Sequence, residues 1–216
     1  MTVGVVVPAH DEEDRLPACL AALRLNAARV VVVADACADR TAQVARRLGA
    51  LVVETSVRNV GVARDLGVRE LLRQGVTWVA TTDADTVVPP WWLEAQLACA
   101  RVGWDAVAGT VSVADWSEHP RWLPATYARL YAREAPVHGA NLGFTAHAYR
   151  AAGGFPPIAT GEDRAFVRAL ERTGHRVLFT ATIDVVTSAR RRYRAPRGFG
   201  HLLTTLEPDP VRPPHP

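Results

Sequence analysis

The chain has 216 residues, 49% of them hydrophobic and 22% charged, with a formal net charge of +3. That length supports one domain with a sizeable core, and the composition excludes a disordered, collagen-like or disulfide-scaffold protein. Every basic residue apart from histidine is arginine, so lysine Schiff-base chemistry is excluded as well.

Residues 3–7 form a short apolar run closed by Pro8, which predicts a first strand. An acidic loop follows, then Leu16, Leu20 and Leu23 at helical spacing. Residues 30–34 predict the second strand. Asp39 is a suitable N-cap for a helix running to Leu48, which Gly49 stops. A third strand is expected over 51–53 and a helix over 60–73, ended by Gly75. Residues 76–86 begin as a β-branched apolar run and end in Asp83 and Asp85, with Pro89 and Pro90 closing the stretch. A parallel strand covered on both faces reads as such a run. The pattern continues with a helix over 91–101, a strand over 106–113, a helical region over 121–133, and a turn into a short strand over 139–144. A loop over 153–157, a helix over 162–173 ended by Gly174, and two short strands over 177–179 and 183–186 complete it. From Arg190 the chain is basic and then proline-rich. Its last eight residues carry four prolines and are expected to be disordered.

Strands alternating with helices of this length point to a mostly parallel sheet flanked by helices. Cys19, Cys37 and Cys99 lack metal-ligand spacing and, with no secretory segment visible at the N-terminus, suggest reduced thiols and a cytoplasmic protein. No uncharged apolar run approaches the roughly 18 residues of a membrane span. Peripheral membrane contact stays open.

The carboxylates are the chemistry of the chain. Asp83 and Asp85 fall at or just past a strand's carboxyl end, the ligand side of an open α/β sheet. If the chain is still extended there, the two side chains share a face. Such a pair repels itself unless a cation or proton intervenes, and Mg²⁺ or Mn²⁺ takes oxygen ligands of this kind. The competing reading makes Asp83 a turn cap and leaves Asp85 solvated. Glu162 and Asp163 open a helix, where acids are also favourable for structural reasons alone. Arg190, Arg191, Arg192, Arg194 and Arg197 with His201 are the strongest charge run. It reads as a solvated segment or as a flap; a nucleic-acid patch is disfavoured by the small net charge. Trp91 and Trp92 could stack on a sugar or fill a core.

Several stretches together resemble family 2 glycosyltransferases. They are the segments 5–13 (VVVPAHDEE), 32–41 (VVADACADRT), 59–67 (NVGVARDLG), 82–85 (TDAD), 139–144 (GANLGF) and 161–163 (GED). The resemblance covers about residues 3–192 and implies a single-domain, Rossmann-like GT-A fold over 1–192, with 193–216 as a basic, then proline-rich, partly disordered tail. It implies an enzyme moving a sugar from a nucleotide-sugar to an unknown acceptor with Mg²⁺ or Mn²⁺. Asp85 and Asp83 become metal ligands, Asp83 also nearing the ribose, with His201 as a third ligand. Pro8, His10, Glu12, Asp35 and Arg64 become donor-nucleotide contacts. Gly139, Asn141 and Trp91 become sugar or acceptor contacts, with Gly139 and Gly143 allowing close approach of backbone to ligand, and Arg190 and Arg192 become phosphate forks. Asp163 becomes the general base of an inverting transfer, beside Glu162, and His138 is an extra polar candidate. The chain departs from the family in having Asp11 and Asp65 where Asn is usual. A sugar-phosphate nucleotidyltransferase would use carboxylate-bound Mg²⁺ too, but expects a Gly-rich basic loop after strand one. A non-catalytic nucleotide-sugar-binding protein is the alternative outside enzymes.

Overall fold

The computed structural model describes residues 1–26, 28–133, 137–191 and 198–207. Seven strands form one sheet in the order β3-β2-β1-β4-β6-β5-β7. They are β1 (Val3–Ala9), β2 (Arg29–Asp35), β3 (Leu51–Thr55), β4 (Trp78–Thr81), β5 (Ala106–Val113), β6 (Leu142–Thr145) and β7 (Val177–Thr187). Every pairing is parallel except those of β6, which runs antiparallel to both β4 and β5.

The reason for the continuous apolar strands is visible in the packing. Side chains of a strand alternate between faces, and here both faces are covered. Val5, Val7 and Val32 pack on one side with Leu16, Leu20 and Leu23 of α1 (Leu16–Arg24), Ala45 of α2 (Thr41–Arg47), and Trp92 of α4 (Trp92–Arg101). Val6, Val31 and Val33 pack on the other with Val68 and Leu71 of α3 (Val60–Arg73), Ala148 of α6 (Ala146–Ala152), and Phe166 and Leu170 of α7 (Glu162–Arg172). Helix α3 lies close on β1 because Gly67 has no side chain: a Cβ there would come within 2.4 Å of Val6. Asn59 caps α3, its side chain accepting from the Val62 N–H at 3.1 Å.

Helix α5 (Leu123–Arg133) and helix α8 (Phe199–Leu206) build a smaller third cluster, in which Leu123, Tyr127, Ala189 and Leu203 are buried together. Helix α8, which lies beyond the boundary expected at 192/193, thus packs its Leu203 against this body. The expected disorder of the last eight residues, and the roles of Arg192, Arg194 and Arg197, fall outside the described residues.

Other differences are local. The two strands expected over 177–186 are one, β7. Its register against β5 jumps between Gly109 and Thr110, passing from Thr180 to Asp184, so the residues between bulge out. Helix α2 begins at Thr41 with Arg40 at the N-cap; Asp39, expected as the cap, sits one residue earlier, and one of its carboxylate oxygens accepts the Thr41 N–H at 2.9 Å. Helix α6 was not expected. Thr145 caps it, accepting from the Ala148 N–H at 3.1 Å, and Gly153 ends it at φ 85°. Among the described residues no helix is long and apolar enough to cross a membrane.

Candidate functional site

A cleft of about 600 Å³ opens at the carboxyl ends of β1, β2 and β4. The loop after β1 contributes Pro8, His10 and Glu12, and the end of β2 contributes Asp35. Arg64 reaches in from α3, Asp83 and Asp85 from the turn after β4, and Glu162 and Asp163 from the start of α7. His138 and Gly139 line it beside them, and Arg190 with His201 of α8 closes the far side.

Strand β4 ends at Thr81, and the chain then turns, with the Thr86 N–H donating to the Asp83 carbonyl at 3.0 Å. The extended arrangement considered for Asp83 and Asp85 therefore does not occur. The turn aims the two carboxylates at different cations. Asp83 Oδ1 accepts from Arg64 Nη2 at 2.7 Å, while Asp85 Oδ2 lies 3.3 Å from Arg190 Nη2.

Arg64 is the hub. Sequence reasoning offered it as a nucleotide contact or a solvated residue; it is buried, at 3% exposure. Nε donates to Glu162 Oε1 at 3.1 Å, Nη1 to the Gly139 carbonyl at 3.0 Å, and Nη2 to Asp83. One guanidinium thus ties together the segments carrying Asp83, Gly139 and Glu162. Burial opposes its charge, but the carboxylates of Asp83, Glu162 and Asp163 more than offset that and raise its pKa. Gly139 is needed for the passage of this side chain, since a Cβ there would meet Arg64 Nη2 at 2.4 Å. The close approach expected for Gly139 and Gly143 is thus to Arg64 and to the Gln96 side chain, respectively.

Arg190 forms the second knot. Its guanidinium grips Glu12 in a two-pronged pair, one prong being Nη1 to Oε2 at 2.7 Å, and also faces Asp85. The Thr187 hydroxyl is 3.4 Å from Asp85 Oδ1. Burial pushes Asp85 up to about 6, with Asp83 and Glu12 adding to the rise and Arg190 opposing it. Two carboxylates held at a turn, one of them uncomfortable as an anion and already courting a cation, fit a hard divalent ion with an all-oxygen shell. His201 does not join them as a close third ligand. Among the described residues, the group whose ligand atoms lie within 4.8 Å of one another is His10, Asp11 and Cys37.

Asp163 is half-buried. Its Oδ2 accepts from the Gly139 N–H at 2.8 Å and its Oδ1 from the Arg164 N–H at 2.7 Å, which fixes the carboxylate at the helix entrance. Glu162 is 5% exposed; burial pushes it up, Arg64 pulls it back, and Asp163 adds to the rise. His138 stacks on Tyr131, with ring centroids 5.6 Å apart, and its Nε2 bonds the Tyr131 hydroxyl. Burial lowers its pKa from 6.5 to about 4, against the pull of Asp163 and Asp83. The folded state therefore binds fewer protons than the unfolded one between those values, and stability is lost as pH falls from 6.5 toward 4. His138→Gln removes this loss, on the order of 3 kcal/mol. Denaturant melts at pH 7 and 4.5 should show a shallower acid decline for the variant; parallel declines would place the imidazole in solvent.

Two expectations are corrected. Asn141 is fully buried and spent inside the core. Its Nδ2 donates to the Thr110 and Ile183 carbonyls at 2.7 and 2.9 Å, and its Oδ1 accepts from Trp92 Nε1 at 2.8 Å. No N–H is left for a sugar hydroxyl. Trp91 is 47% exposed and lies outside the cleft lining, because its neighbour Trp92 takes the core position. Asp35 lines the cleft, yet its two oxygens accept the Arg58 and Asn59 N–H groups at 2.8 and 2.7 Å, so it first organises the loop before α3. Sequence reasoning missed Thr187 and the Arg58–Asn59 backbone; Thr187 lies 102 residues from Asp85, and no local signal marks it.

A family model described as "Glycosyl transferase family 2" matches residues 4–173. The dolichyl-phosphate hexose transferase of Haloferax volcanii is 32% identical over 152 residues, which are 67% of this chain and 65% of that protein. Among solved structures, S. aureus TarS in complex with UDP-GlcNAc aligns with a TM-score of 0.69 at 17% identity, over 90% of this chain and 60% of that one. The mannosyltransferase PcManGT from Pyrobaculum calidifontis, in complex with GDP-Man and Mn²⁺, aligns with a TM-score of 0.67 at 23% identity, over 88% and 57%. The chain thus spans less than two thirds of the length of each of these proteins.

Proposed function

The chain belongs to glycosyl transferase family 2, and from that premise we propose that it transfers a hexosyl group from a nucleoside-diphosphate sugar to an acceptor, with inversion and with a divalent cation. Its architecture is the GT-A fold. The observation that carries the proposal is the cleft itself: Asp83 and Asp85 after β4 and Asp163 at the start of α7 line it together, with Arg64 tying Asp83 to Glu162 and to the Gly139 turn whose N–H Asp163 accepts.

The residues divide by place. Pro8, His10, Glu12 and Asp35 form the wall at the ends of β1 and β2, where the nucleoside would lie. Asp83 and Asp85 would hold Mg²⁺ or Mn²⁺, which supplies positive charge against the departing diphosphate. Arg190 is the cation next to Asp85, and it is placed to exchange its carboxylates for phosphate oxygens as a two-pronged donor. Asp163 takes the proton of the acceptor hydroxyl as that oxygen attacks the anomeric carbon. A single displacement of this kind inverts the configuration. Arg64 and Glu162 position the two ends of the site. The GDP-Man, UDP-GlcNAc and dolichyl-phosphate hexose chemistry named for the relatives makes nucleotide-hexoses the donors to try first.

The nucleotidyltransferase reading is disfavoured by the loop after β1. Its residues Glu12 and Glu13 are acidic, and Glu12 is committed to Arg190 instead of leaving a basic cradle for a triphosphate.

The test is thermal stability with UDP- and GDP-hexoses, in Mn²⁺, Mg²⁺ and chelator. Ligand at a hundredfold excess over Kd stabilises by about 2.7 kcal/mol. The expected result is a shift with one nucleotide family that requires the metal and is lost in Asp85→Ala. Equal shifts with and without chelator would sink the metal assignment, and no shift with any nucleotide-sugar would sink the donor.

A further inference from the structure

The loops after β1 and β2 meet beside the cleft, and three side chains of different chemistry converge there. A nitrogen of His10, a carboxylate oxygen of Asp11 and the sulfur of Cys37 lie within 4.8 Å of one another. They are apart from the Asp83–Asp85 pair, and the transfer chemistry has no use for Asp11 or Cys37.

Each of the three is oriented by a bond of its own. His10 Nδ1 is 2.7 Å from the Asp35 carbonyl oxygen. A carbonyl only accepts, so Nδ1 carries a proton and Nε2 is the ring nitrogen left for another partner. Nε2 lies 3.7 Å from Asp11 Oδ2. A cation between them would take the ring nitrogen in its neutral form together with the carboxylate. Asp11 Oδ1 is held by the Ala38 and Asp39 N–H groups at 2.7 and 3.3 Å. Cys37 Sγ receives the Asp11 N–H at 3.5 Å and points its own proton at the Ala9 carbonyl, also at 3.5 Å.

We propose that His10, Asp11 and Cys37 form a second metal site, for a thiophilic divalent ion of the Zn²⁺ type, distinct from the carboxylate site for Mg²⁺ or Mn²⁺. Imidazole, thiolate and carboxylate together suit zinc, whereas hard ions prefer oxygen alone. The bond from His10 Nδ1 to a backbone carbonyl is the outer-shell support that metal-bound histidines receive. Zinc bonds of about 2.0–2.3 Å put tetrahedral ligands roughly 3.3–3.8 Å apart, a spacing the 3.7 Å between His10 Nε2 and Asp11 Oδ2 already meets. Three protein ligands leave the fourth position to water or to an atom of a bound ligand. Binding expels the Cys37 proton to solvent as the thiolate–metal bond forms. Uptake therefore strengthens as pH rises. Because His10 lines the cleft, filling this site pins the β1 and β2 loops together at the proposed nucleoside wall. The inference stands independently of the donor assignment.

The test is titration of Co²⁺ into the full chain with Mg²⁺ in large excess, so that all-oxygen sites are occupied. One equivalent should raise a thiolate-to-cobalt charge-transfer band that one equivalent of Zn²⁺ removes. Cys37→Ser should abolish the band, Asp11→Asn should weaken cobalt affinity at least tenfold, and Cys99→Ser should leave both unchanged. Asp11→Asn keeps an oxygen for the Ala38 and Asp39 N–H groups, so it carries the test should Cys37→Ser fold poorly. No band in the wild type, a band surviving in Cys37→Ser, or unchanged affinity in Asp11→Asn would overturn the site.

Discussion

Replacing Arg64 with methionine is expected to cost about 3–5 kcal/mol of stability, the range for removing one partner of a buried ion pair. The expectation follows from what the substitution leaves behind. Glu162 is 5% exposed, its Oε1 accepts Arg64 Nε at 3.1 Å, and burial already pushes its carboxyl up. Without the guanidinium that carboxylate is stranded, as is the Gly139 carbonyl that Nη1 reaches at 3.0 Å. Methionine fills most of the volume, so the loss measures the missing charge more than a cavity. Denaturant melts give the number, and Glu162→Gln in the Arg64→Met background should recover part of it, because a neutral amide is cheaper to leave unpaired. A loss below about 1 kcal/mol would mean that water reaches these carboxylates and that the hub is a surface pair. Donor binding reports the second consequence. Asp83, freed at the turn after β4, should lose its orientation, so metal-dependent donor affinity should fall with stability even at temperatures where the variant stays folded.

This hub explains what the sequence shows and what it hides. The sheet was legible because β1, β2 and β4 are buried on both faces, and burial on both faces leaves an uninterrupted apolar run. The acids after β4 and at the start of α7 were legible because strand ends and helix starts are local features. Arg64 was not, since its partners lie 19, 75 and 98 residues away and no pattern within α3 separates a buried arginine from a solvated one. Asn141 misled for the same reason. An asparagine between two glycines looks like a ligand loop, but its three partners are Trp92, Thr110 and Ile183, brought together only by sheet closure. Helix α8 hid between an arginine run and a proline run, and only the burial of Leu203 against Leu123 and Tyr127 marks it as part of the body. The Cys37 cluster shows no motif spacing at all, because two separate loops supply it across 27 and 26 positions.

Asp163→Asn is expected to lower kcat by about 10²–10⁴, the range for a positioned general base, with donor affinity held within a few-fold. The two acids at the start of α7 make the comparison sharp, because they look alike in sequence and differ in place. Glu162 is bound to Arg64 and nearly inaccessible, so Glu162→Gln should appear mainly as lost stability. Asp163 faces the cleft, held by the Gly139 and Arg164 N–H groups at 2.8 and 2.7 Å. Asparagine keeps one oxygen for one of those donors and turns an amide toward the other, a local cost of about 1 kcal/mol. An effect on kcat far beyond that cost reports the proton and not the fold. Single-turnover transfer with saturating donor and metal isolates the step, and donor binding followed by thermal shift shows whether the site is otherwise intact. If kcat falls less than tenfold, Asp163 is a helix-start acid like many others, serving the dipole and the Gly139 turn. If donor binding disappears with activity, the carboxylate belongs to the donor side, and the acceptor's proton must leave by another route.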